Sequence, residues 1–155
     1  MISMANTYSQ LYFHVVFAVK GRANLISAHN KEELNKYITG IISNKNQKLM
    51  IINGMPDHMH LLISLKPDCC LSDLVREIKT SSSHFVNEKK WVAFKFEWQK
   101  GFGAFTVSHS GVKAVANYIE NQEAHHRDKK FRDEYMGILK NHEVAYKDEY
   151  LFDEC

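Results

Sequence analysis

The sequence predicts an α+β fold: a ferredoxin-like βαββαβ sandwich, with an antiparallel sheet, helices on one face and added helices at the C-terminus. Three observations lead there. Apolar residues alternate with a period of two near residues 10–19 and again over 58–65. Between and after these runs, apolar residues recur at helical spacing. Only seven Gly and two Pro punctuate 155 residues, with no linker, repeat or low-complexity run. Residues 1–155 therefore read as one domain, with a core over 8–135 and a C-terminal extension over 136–155.

The elements follow in order. Leu11, Phe13, Val15, Phe17 and Val19 alternate with Tyr12, His14, Val16 and Ala18, which predicts a strand near Gln10–Val19. Leu34, Tyr37, Ile38, Ile41 and Ile42 share a helical stripe over Lys31–Ser43. Lys48–Asn53 and His58–Leu65 read as strands around the turn Gly54-Met55-Pro56-Asp57. Ser72 is expected to cap a helix that carries Leu74, Val75, Ile78, Phe85 and Val86. Phe102–Val107, aromatic and flanked by glycine, reads as the fourth strand. Ser110 is expected to cap a long helix with Val112, Val115, Ala116 and Ile119, and a further helix runs from Phe131 to about Lys140. A sheet covered on one side leaves the other face free, and function is expected there.

Composition narrows the class. With 45% apolar and 25% charged residues, the chain is globular rather than disordered. No run approaches the ~20 apolar residues of a membrane span, and Met1–Gln10 lacks the pattern of a signal peptide. The three cysteines, Cys69, Cys70 and Cys155, make neither a disulfide framework nor a zinc-ribbon spacing, so a reducing cytoplasm is expected. The net charge of +2 divides into a basic body up to Arg132 and an acidic tail from Asp133. A basic body is compatible with a polyanion partner.

Two residue pairs carry chemistry. On a strand, His58 and His60 share a face with Leu62 and Ser64, while Met59, Leu61, Ile63 and Leu65 form an apolar face opposite. Two same-face imidazoles can hold one cation, although such a pair also occurs as plain solvent-facing histidines. Tyr118 and Gln122 lie one helical turn apart on one face, at the edge of an apolar stripe. A tyrosine there also serves simply as a boundary residue, and as a nucleophile it requires a cation or base nearby. Together the pairs supply two imidazoles, an amide oxygen and a phenol, the parts needed to bind a phosphodiester and attack it through a phosphotyrosine.

These residues stand in runs that resemble a known family. Phe13-His14-Val15-Val16-Phe17-Ala18-Val19-Lys20-Gly21-Arg22 looks like its opening strand, and Met55-Pro56-Asp57-His58-Met59-His60-Leu61-Leu62 like its His-hydrophobic-His motif. Gln99-Lys100-Gly101-Phe102-Gly103-Ala104-Phe105, followed by Tyr118-Ile119-Glu120-Asn121-Gln122, looks like its last strand and nucleophile helix. The chain thus resembles the single-tyrosine HUH transposases of the IS-200/605 type from about residue 8 to residue 135. The resemblance implies a homodimer with composite active sites that cuts and rejoins single-stranded DNA at hairpin-marked element ends, through a 5′-phosphotyrosine. It implies Tyr118 as nucleophile and His58, His60 and Gln122 as ligands of a divalent metal; phosphate chemistry favours Mg²⁺ or Mn²⁺ there, while two imidazoles also accept later transition metals. It also implies a bacterial or archaeal cytoplasm, at the nucleoid, and no membrane partner.

Weaker expectations fill in the surface. Lys20, Arg22, Arg76, Lys79, Lys89 and Lys90 are candidate phosphate contacts. His14 faces the site in the register of Tyr12, as a DNA contact or a rival third ligand. His125-His126-Arg127 with Lys129-Lys130 forms a basic cluster. Three other readings stay open from the residues: a domesticated relative that processes palindromes, a non-catalytic single-strand binder, and a metal-dependent hydrolase in which water attacks.

Overall fold

The structure is a computed structural model that describes residues 7–122 and 130–145, apart from the Arg22 side chain. The basic cluster up to Lys129 and the tail with Tyr146, Tyr150 and Phe152 lie outside the described residues. Four strands, β1 (Tyr12–Ala18), β2 (Lys48–Met55), β3 (His58–Ser64) and β4 (Gly103–Val107), form one antiparallel sheet in the order β2-β3-β1-β4. The helices are α1 (Ala28–Asn44), α2 (Leu71–Lys89), α3 (Val112–Glu120) and α4 (Phe131–Asn141). This is the predicted βαββαβ order with C-terminal helices added. Among the described residues, no helix is long and apolar enough to cross a membrane.

The main core lies under one sheet face. Val15 and Phe17 of β1 and Met59, Leu61 and Ile63 of β3 pack there against Leu34, Ile38 and Ile42 of α1 and Leu74, Val75, Ile78 and Val86 of α2. Those positions keep period two on the strands and helical spacing on the helices, so pattern and packing agree. The connection from α2 to β4 is stitched to the same core. Asn87 brackets the backbone of Phe96 with two hydrogen bonds, and the Trp98 indole donates to Ser82 Oγ at 2.9 Å.

Helix starts depart from expectation at three places. Ser27 caps α1, accepting from the Asn30 amide at 3.2 Å, so the helix begins ahead of Lys31. Ser72 is not a cap. Helix α2 opens at Leu71, which packs on the core, with Cys70 at the cap position and Asp73 supplying negative charge in the first turn. Ser110 sits in a single 3-10 turn over His109–Gly111, its hydroxyl bonded to Ser108, and α3 starts after it.

The second sheet face is covered rather than free. Phe131 and Leu139 of α4 pack on Val16, Ala18 and Phe105, forming a smaller core. Gly103 makes the close approach feasible: a Cβ there would stand 2.6 Å from the Tyr135 hydroxyl. Helix α3 is fastened to the same face, where Asn53 on β2 donates to the carbonyls of Ile119 and Glu120.

Truncating the main core should be expensive. Leu61→Ala is expected to remove about 2–5 kcal/mol of stability in urea unfolding. Met50→Ala, at an exposed position on edge strand β2, should change it by less than about 0.5 kcal/mol. Equal losses would show that the two positions are packed alike.

Candidate active site

The site grows from the pleat of β3. With Met59 and Leu61 turned into the main core, His58 and His60 project onto the opposite face, where α3 and α4 cover them completely. His14, across the sheet on β1, joins them at a diagonal position, since β1 pairs Leu62 with His14 and His60 with Val16. Phe131 stacks on the His58 ring with centroids 4.0 Å apart. Tyr118 stands edge-on to His60 and His14, at 6.0 and 6.2 Å between centroids.

Each histidine is held by its Nδ1. His58 Nδ1 donates to the Asp57 carboxylate at 2.7 Å, and His60 Nδ1 meets His14 Nε2 at 2.8 Å. Both Nε2 atoms then face Glu134 Oε1 from α4, at 3.6 Å from His58 and 3.1 Å from His60. The ligand atoms of these three side chains all lie within 4.8 Å of one another. Two imidazole nitrogens and a carboxylate oxygen are a donor set that suits Mn²⁺, Mg²⁺ or a later transition metal. Outer partners that orient each ring through its far nitrogen are the usual surroundings of ligating histidines. The residues therefore fit a divalent cation.

The phenol belongs to the same network. Tyr118 donates to Glu134, and the side chain of Gln122, buried one turn on, bonds the phenol and returns an Nε2–H to the Tyr118 carbonyl at 3.3 Å. Burial, and next the bond to Glu134, push the phenol well above the ordinary tyrosine range. His14 moves the other way, down to about 3, first because burial disfavours its charged form and then because His60 stands beside it. The structure thus brings His58, His60, His14, Tyr118 and Gln122 together on one face.

It does not bring Lys20, Arg76, Lys79, Lys89 or Lys90 there, and the Arg22 side chain lies outside the described residues. Arg76 and Lys79 lie on α2, beneath the opposite face. Arg76 pairs with Asp73, and the Lys79 ammonium is committed to the carbonyls of Gln99 and Gly101, bracing that connection. Lys20 pairs with Glu97 at 3.5 Å and Lys89 with Glu33 at 3.1 Å, while the backbone of Lys90 closes α2 in the left-handed conformation. His14 is buried against His60, so it reaches the site as a ring partner, not as a surface contact.

Three residues escaped the sequence reading: Asp57, Asn53 and Glu134. For Glu134 a signal existed. Phe131, Tyr135 and Ile138 mark the apolar stripe of α4, and Glu134 occupies the i+3 slot of that same stripe, where a carboxylate needs a partner.

Acid should test His14 directly. Below pH 6.5 the unfolded chain protonates this histidine while the folded chain resists down to about 3. The unfolded state then binds more protons, so stability falls as pH drops through that window. In urea unfolding from pH 7 to pH 4, the wild type should lose more stability than His14→Phe, by up to about 1.4 kcal/mol per pH unit. Parallel pH profiles would contradict the neutral, buried imidazole.

Comparison with known proteins gives the site its context. The family model for IS200-like transposases matches residues 7–122, and so includes β1, both histidines, Tyr118 on α3 and Gln122 just beyond the end of that helix. The ISDra2 transposase TnpA of Deinococcus radiodurans is 28% identical over 120 residues, 73% of this chain and 84% of that one. The transposase for insertion sequence element IS200 of Salmonella typhimurium is 25% identical over 125 residues, 77% of this chain and 82% of that one. Among solved structures, a Deinococcus radiodurans R1 protein described as a transposase superposes with a TM-score of 0.60 at 23% identity, over 79% of this chain and 98% of its own. A REP-associated tyrosine transposase bound to a REP hairpin gives 0.60 at 18% identity, over 81% of this chain and 74% of its own. With three quarters of its length inside the family model, and the two histidines, the tyrosine and the glutamine all within the match, this chain belongs to the IS200-like transposase family.

Proposed function

We propose that this transposase cuts and rejoins single-stranded DNA at hairpin-marked element ends, in the cytoplasm and at the nucleoid, through a 5′-phosphotyrosine on Tyr118. The observation that carries the reading is the convergence of a phenol, two imidazole Nε2 atoms and a carboxylate in one buried cluster. His58 and His60 hold a divalent metal, Mg²⁺ or Mn²⁺. Gln122 is the third ligand that the family resemblance implies, and Glu134 adds a carboxylate. When bound, the cation neutralises phosphate charge and orients the ester.

The chain's own residues do the rest. Tyr118 Oη forms a bond to phosphorus as the bond from phosphorus to the 3′ oxygen breaks. The phenol proton passes to Glu134, its hydrogen-bond acceptor, and the departing 3′ oxygen takes up a proton from solvent and leaves as the 3′ hydroxyl. A phenol held this far above its ordinary range needs such an acceptor. Rejoining reverses the step, with a 3′ hydroxyl attacking the phosphotyrosine. Hairpin ends are suggested by the structural neighbour solved with a REP hairpin, and a single-stranded substrate by the family resemblance.

A second copy enters through α3, which joins β4 by the short turn over His109–Gly111 and fully buries one residue, Ile119. In the single chain α3 rests on its own histidine pair. We propose a homodimer in which each copy's α3 moves across to serve the other's pair, with the same contacts repeated at the exchanged site.

Labelled DNA tests the chemistry. Wild-type protein with Mn²⁺ should yield a denaturation-resistant adduct on single-stranded substrate and none on the same sequence as a perfect duplex. Tyr118→Phe and His58→Ala should each reduce the adduct by at least about 10³-fold, the scale of a lost nucleophile or metal. Products cut without an adduct would instead indicate attack by water, and binding without cutting a passive binder. Mixing decides the sharing of sites. Tyr118→Phe protein combined with His58→Ala/His60→Ala protein should regain cleavage, with DNA attached only to the chain that keeps Tyr118. Subunit exchange without regained cleavage would place each nucleophile on its own chain's site.

A further inference from the structure

The bond between His14 and His60 sets a condition that the bond between Asp57 and His58 does not. A carboxylate only accepts, so Asp57 holds His58 permanently as the Nδ1–H tautomer, with a lone pair on Nε2. His14 is an imidazole, able to accept or donate. Of the two nitrogens that meet at 2.8 Å, one carries the proton and the other a lone pair. Two neutral arrangements satisfy this.

In the first, His14 Nε2–H donates to His60 Nδ1. His60 then carries its own proton on Nε2 and donates it to Glu134 Oε1 at 3.1 Å. Every bond is satisfied, but His60 offers no lone pair to a cation. In the second, His60 Nδ1–H donates to His14 Nε2, and the His60 Nε2 lone pair faces the gap shared with His58 and Glu134. Only this arrangement can ligate.

We propose that His14 is a positioning residue for the metal centre. It accepts the Nδ1–H of His60 when a cation is bound, and donates to the same nitrogen when the site is free. His58 is thus a preset ligand and His60 a conditional one. The inference rests on the reading that His58 and His60 hold a divalent cation. The proton balance closes without redox change. On loading, the His60 Nε2 proton leaves to water and the His14 Nε2 proton crosses to His60 Nδ1. A proton from water then returns to His14 Nδ1.

The full-length chain tests this with Mn²⁺ and Mg²⁺ alone as probes. Calorimetry should show Mn²⁺ binding to the wild type. His14→Phe, which keeps a ring but lacks an acceptor, should weaken Mn²⁺ binding about 10–100-fold, the usual effect of losing an outer partner. His14→Gln, which can both accept and donate, should stay within about threefold of wild type. In adduct assays, the deficit of His14→Phe should be an altered Mn²⁺ dependence, recovered at saturating metal. Long-range ¹H–¹⁵N spectra of histidine-labelled wild type should show His60 protonated on Nε2 without Mg²⁺ and on Nδ1 with it. Equal Mn²⁺ affinity in His14→Phe, a tenfold loss in His14→Gln, or a His60 tautomer unchanged by Mg²⁺ would overturn the proposal. If His14→Phe fails to fold, the glutamine variant and the wild-type spectra still decide it. A wild type that binds no Mn²⁺ overturns the metal reading itself, and that result precedes any variant.

Discussion

Everything functional in this molecule hangs on the pleat of one strand. β3 is hydrogen-bonded on both sides, to β2 and to β1, and successive side chains leave it in opposite directions. Met59, Leu61 and Ile63 anchor it in the main core, and that anchoring obliges His58 and His60 to face the other way. A register slip of one residue would place imidazoles in an apolar core and methionine in the site, so the two arrangements exclude one another sharply. The precision of the histidine pair is inherited from the packing beneath it.

What the second face adds is a largely buried polar network. Asp57, His14, Glu134, Tyr118 and Gln122 link the two histidines to strands β1 and β3 and helices α3 and α4. Such clusters contribute less to stability than an apolar core of equal volume, because each buried charge must offset its lost hydration. Their contribution here is geometric. Asn53 pairs with His60 across the sheet and also ties the end of α3, so one residue of β2 couples the position of the Tyr118 helix to the strand of the two histidines.

Sequence pattern reached much of this and stopped at predictable points. Alternation placed His58 and His60 on one face and His14 near them, and helical spacing put Tyr118 above Gln122. All five are brought together. Local pattern does not say where a helix docks, and so α4 was legible as a helix but not as the cover of the second face. Glu134 went unread for the same reason: its partners His58 and His60 are more than seventy residues away in the chain. Lys79 reads from sequence as a candidate phosphate contact because its acceptors are backbone carbonyls, which leave no trace in side-chain composition. Caps shifted by one to three residues where a neighbouring side chain, Leu71 or Ser27, found a better anchor.

The closure of that face has a kinetic meaning. Glu134 belongs to the same chain as the histidines it faces, so its carboxylate acts there as a tethered occupant whose effective concentration is on the order of millimolar or higher. A carboxylate delivered in this way stands beside the two imidazoles without an encounter step, on a helix whose Phe131 ring stacks on His58. The supply of that carboxylate is therefore set as much by the grip of an eleven-residue helix as by the two histidines below it.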